Sequence, residues 1–98
     1  MNPETRSRLD RKNILVAAET RTHYLLVRDE CIALVERTAA GCGSIGGTGI
    51  LTPHGLAFLV WREGRALLAA KGSEVEAGDE LVEDIRRFSQ DVKAALEG

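Results

Sequence analysis

The sequence predicts an α+β domain: an antiparallel β-meander of five or six short strands, with a short N-terminal helix and a long amphipathic C-terminal helix on one sheet face. Three observations lead there. Leu81, Ile85, Phe88, Val92 and Leu96 recur at intervals of 4, 3, 4 and 4, with Val82 and Ala95 beside them, the stripe of a single helix. Upstream, from Ile14 onward, apolar residues come in short runs broken by charged pairs or glycine, which is the texture of strands. A shift of 34 residues also lays 24–29 over 58–63 and 32–35 over 66–69, matching in kind position by position, so two similar hairpins are expected.

The elements follow in chain order. Asn2-Pro3-Glu4 is a helix start: Asn caps, Pro is tolerated at the first helical position, and Glu sits at the positive end of the dipole. Leu9 is the only apolar anchor before Asn13, so this helix is short. Arg8, Arg11 and Lys12 share a face and read as a solvated surface rather than an anion site. Strands are expected over the runs 14–18, 24–27 and 31–35, although Leu25, Ile32, Val35 and Ala39 also fit a helical stripe ending at Gly41, which makes a helix over 22–40 the main alternative. The second hairpin turns at Arg62-Glu63-Gly64, where glycine supplies a positive φ. The first has Asp29-Glu30 instead, so a longer turn or another type is expected. Thr52-Pro53-His54-Gly55 reverses the chain between Ile50-Leu51 and Leu56-Ala57. Between the hairpins, 41–49 holds five of the ten glycines and reads as a connecting loop. The final helix starts near Asp79, after Gly78, although Ser73-Glu74-Val75-Glu76 fits a capping pattern that could begin it earlier.

Composition narrows the function classes. The 98 residues are 44% apolar and 29% charged, which describes one globular domain spanning residues 1–98 with enough apolar surface for its own core. No apolar run approaches the ~20 residues of a membrane span, and the charged N-terminal region has no export signal, so a soluble, cytoplasmic protein with no membrane partner is expected. The formal net charge of -2 divides into +3 over residues 1–71 and -5 over residues 72–98. There is no basic cluster with interleaved aromatics, which argues against nucleic acid.

Few residues form a chemical constellation. Gly41-Cys42-Gly43-Ser44-Ile45-Gly46 matches G-x-G-x-x-G, but the following Gly47-Thr48-Gly49 and Pro53 cannot continue as the helix that holds a pyrophosphate. What survives is a nest of backbone amides for an anion, with Cys42 as a contacting or reactive thiol and Gly43, Ser44, Gly46 and Gly47 as its neighbours. Cys31, in an apolar run, reads as a buried small hydrophobe. His23, Cys31, Cys42 and His54 are too scattered for the close ligand pairs of a zinc site, and no metal or cofactor is expected. The carboxylate pairs Asp79-Glu80 and Glu83-Asp84 are accounted for by the helix dipole, and no catalytic set is identified.

Phe58 and Trp61, three apart in a strand, point to opposite faces. If the second face is left uncovered by the chain's own helices, it is an exposed apolar patch and a natural place for a partner. By elimination the chain reads as a small non-enzymatic protein–protein interaction module, an adaptor or a partner-occluding inhibitor, with self-association as one form of it. Trp61 and the acidic residues Asp79, Glu80, Glu83 and Asp84 are the expected contacts. The alternative is a small-ligand, phosphate or thiol site at 41–49.

Overall fold

The computed structural model describes residues 1–97. Helix α1 (Pro3–Arg11) leads into seven strands, counted among the described residues: β1 (Leu15–Glu19), β2 (His23–Arg28), β3 (Cys31–Thr38), β4 (Gly41–Thr52), β5 (Gly55–Arg62), β6 (Arg65–Ala70) and β7 (Ser73–Glu76). Helix α2 (Asp79–Glu97) closes the chain. The strands form one antiparallel sheet in sequence order, a meander as expected but with seven strands rather than five or six. The helix considered over 22–40 is replaced by β2, β3 and their turn, because Tyr24 pairs with Val35 and Leu26 with Ala33 across the sheet.

Both hairpins of the internal repeat form, in equivalent register. Arg28 pairs with Cys31 around Asp29-Glu30, and Arg62 with Arg65 around Glu63-Gly64. The second turn has φ 52 at Glu63 and φ 77 at Gly64, both positive as its type requires. The first is equally short and places its positive φ on Asp29 (φ 55). It is of another type, as Glu30 demanded, but not longer. Asp tolerates the left-handed region better than Glu because its short side chain bonds locally.

The unexpected strands are β7 and most of β4. Ser73–Glu76 is not a helix cap; it pairs with β6, with Leu68 opposite Val75. The 41–49 stretch is not a connecting loop. It is the first part of a 12-residue strand whose residues from Gly41 to Ile50 pair with β3. Its register slips by one residue at Gly46 and again between Ile45 and Cys42, which makes two bulges. On its other side β4 pairs with β5 only from Gly49 with Phe58 to Thr52 with Gly55. β4 is therefore the strand where one half of the sheet hands over to the other.

Both helices lie on the same face. Leu9 of α1 and Phe88, Val92 and Ala95 of α2 pack with Tyr24, Leu26, Ala33 and Val35 in one core cluster. Val82 and Ile85 pack with Ala57, Leu68 and Ala77 in a second. The buried α2 residues follow the stripe read from the sequence, with Leu81 and Leu96 at its half-buried margins. Asn2 caps α1 by accepting a 2.8 Å hydrogen bond from the Thr5 amide. Two arginines fasten α2: Arg8 Nε donates to Ala95 O at 2.7 Å, and Arg28 meets Asp91 at 2.8 Å while lying over the Phe88 ring. No helix is long and apolar enough to cross a membrane among the described residues.

Candidate interaction face

Strand pairing assigns each side chain to a face, because paired residues in an antiparallel ladder share one and successive residues alternate. The partners of Tyr24, Leu26 and Ala57 lie under the helices. The other face carries Leu25 and Leu34, Val27 and Ile32, Leu51 and Leu56, Phe58 and Ala69, and Val60 and Leu67, each couple paired across adjacent strands. Leu15 extends it onto β1 opposite Val27. Among the described residues neither helix covers it, since both sit in the clusters of the opposite side.

This second face is apolar where an antiparallel sheet ordinarily presents polar side chains to water. Charged residues lie at its corners, Glu36 opposite His23 at one and Arg62, Arg65, Glu74 and Glu76 at another. The latter four neutralise each other in two cross-strand ion pairs, Arg62 with Glu74 at 2.7 Å and Arg65 with Glu76 at 3.2 Å.

Glycines shape the centre of the face. Gly47 pairs with Leu34 and Gly49 with Ile32, so β4 contributes no side chain there. The Phe58 ring fills part of that space: a Cβ on Gly47 would lie 3.2 Å from its Cδ1. Ile32 is fully buried although no helix lies on its side, while Leu51 at one end remains 47% exposed and Leu15 65%. The face thus has a self-packed middle and open apolar ends.

The residues expected at an interface lie in two places, both away from this face. Trp61 pairs with Ala66, on the helix side, and is 57% exposed beyond the helix cover. Phe58, not Trp61, is the aromatic residue on the bare face. Asp79 and Glu80 occupy the first turn of α2. Glu83 pairs with Arg86 at 3.6 Å and Asp84 with Arg87 at 3.5 Å, one turn further along the same helix. Two of the four acidic residues are thus paired with arginines of the same helix, and all four stand apart from the apolar face.

The glycine stretch offers a ladder rather than a nest. Cys42 pairs opposite Arg37 and packs against the first core cluster. Gly43, Ser44 and Ile45 line an open cleft of about 430 Å³ with Lys93, Leu96 and Glu97. Gly46 is the bulge residue, and Gly47 lies under Phe58. Burial raises the pKa of the Cys42 thiol, slightly opposed by the N-terminal amine. Cys31 is raised by burial and by Asp84, against Arg28. Both thiols are free, and the burial of each favours its protonated form. Among the described residues no group of His, Cys, Asp or Glu is gathered to hold a metal.

A signal for the bare face was present in the sequence. The runs 24–27, 32–35, 56–61 and 66–70 are apolar without alternation, as in strands buried on both faces. Comparison with known protein families, with characterised proteins and with solved structures finds no match.

Proposed function

We propose that the chain is a protein–protein interaction module that works through the sheet face opposite its helices. The observation that supports this is a face apolar from β2 to β6, with its charged residues at the corners and neither helix over it. A monomer gains nothing from presenting such a surface to water; its burial against a partner returns about 25 cal/mol for each Å² of apolar area removed from solvent. Cross-strand ion pairs at one corner form a polar rim, the arrangement of an interface with an apolar centre.

Photo-cross-linking tests this reading. A photoreactive amino acid is placed in living cells at Leu51 on the bare face, and separately at Trp61 and at Glu80, all three exposed. Position 51 is expected to give a discrete protein adduct. Adducts confined to Trp61 or Glu80, or none at position 51, would refute the proposal.

A further inference from the structure

We infer that the occupant of the bare face is a second copy of this chain, packed sheet to sheet about a two-fold axis with the helices outside. This rests on the reading of that face as an interface. Three properties select a copy over an unlike partner.

The first is area. The six strands β1 to β6 at about 4.8 Å spacing and about six residues long at ~3.3 Å each cover roughly 570 Å² of sheet plane. Two copies then bury about 1,100 Å², close to the lower bound of a stable specific interface, without any further element.

The second is charge. In a two-fold contact the same patch meets itself, so any net charge on it is doubled and self-repelling. Here the apolar pairs from Leu25 to Leu67 are uncharged, Arg62, Arg65, Glu74 and Glu76 cancel within one copy, and Glu36 stands at another corner outside them. The apolar centre therefore selects neither a basic nor an acidic partner and does not oppose its own image.

The third is shape. Two twisted sheets pack face to face about 10 Å apart with strands near -30°, the geometry of a β-sandwich, when both inner faces are apolar. The centre of the face, at Gly47 and Gly49, is closed by the Phe58 ring and the Ala57 backbone, so the projecting Leu51 and Leu15 are the side chains that reach furthest toward an opposing sheet.

The test is the mass of the purified chain by sedimentation equilibrium between about 1 and 100 μM, the span over which standard-size interfaces form. Wild type is expected at twice the 10.6 kDa chain mass. Leu51→Arg on the central strand β4 and Leu15→Arg on the edge strand β1, both already exposed, are expected at the single-chain mass with an unchanged far-ultraviolet circular dichroism spectrum. Trp61→Arg, on the helix side, is expected to keep the doubled mass. A wild-type chain at 10.6 kDa throughout overturns the inference. If position 51 nonetheless cross-links a different protein, the interface reading survives and only the second copy is lost. A doubled mass that both face variants retain overturns the two together.

Discussion

Replacing Gly49 by alanine probes the point where the two halves of the sheet join. Gly49 is buried, pairs with Ile32 on one side and with Phe58 on the other, and is not in the left-handed region. Its glycine requirement is therefore steric. A Cβ there would lie 1.9 Å from Ala57 O and 2.8 Å from Phe58 Cα, both backbone atoms that cannot swing aside. Restoring even a 3.0 Å approach to that oxygen parts β4 from β5 by about 1.1 Å. The ladder between them has only four pairs, and Gly49 with Phe58 is its last, so the strain has no longer stretch over which to spread. Loss of one or two ladder hydrogen bonds at about 1 kcal/mol each, added to an overpacking cost of about 1–3 kcal/mol, gives a destabilisation of roughly 3 kcal/mol. Urea unfolding of Gly49→Ala against wild type at matched protein concentration measures it, since a self-associating chain has concentration-dependent stability. Gly46→Ala is the internal comparison: its Cβ would meet nothing closer than Leu34 O at 3.7 Å, so it is expected within about 1 kcal/mol of wild type, on the stabilising side. A Gly49→Ala variant as stable as wild type would refute the close approach and the account of β4 as the joining strand.

Two further outcomes are expected. Phe88→Ala removes a ring that is 1% exposed and packed under α2 against the sheet, and is expected to lower the unfolding free energy by about 3–5 kcal/mol in the same assay. Alkylation of Cys31 and Cys42 by iodoacetamide in the folded protein is expected to have a midpoint above that of the urea-unfolded chain, since burial raises both thiols. The sign for stability follows: a raised thiol pKa favours the fold below the unfolded thiol range, and that contribution is lost as pH climbs through the folded values. A Cys42 that alkylates faster folded than unfolded would contradict this and restore a reactive thiol.

The legible parts of the fold are those written in local spacing. The α2 stripe from Val82 to Ala95 needs only the helical period, the Asn2 cap and Pro3 need only the first turn, and the equivalent hairpin registers need only the matched runs at a shift of 34. Strand β7 was not legible, because Ser73-Glu74-Val75-Glu76 has one apolar residue and local preferences that also suit a helix start. Its pairing with β6 and the ion pairs from Glu74 and Glu76 to Arg62 and Arg65 make it a strand. The stretch 41–49 misled for a related reason: glycine disfavours strands intrinsically, yet close approach to Ala57 and cover by Phe58 leave no room for side chains at Gly49 and Gly47. The expected interface residues Trp61 and the acidic helix start lie off the bare face, because the spacing of Phe58 and Trp61 puts them on opposite faces without saying which of the two the helices cover.

By itself the sequence determined the helix stripe, the two hairpins and the presence of apolar residues on both sides of the strands. These follow from spacings of two to four residues, which act before any distant contact forms. Only the tertiary structure decided which side would be covered. A run such as Tyr24-Leu25-Leu26-Val27 is alike on both faces, so no local rule tells Leu26 from Leu25; the difference arises when Leu9, Phe88 and Val92 settle together on the side of Tyr24 and Leu26. Both helices took that one side, and the other, from Leu25 across to Leu67, was left without a helix over it.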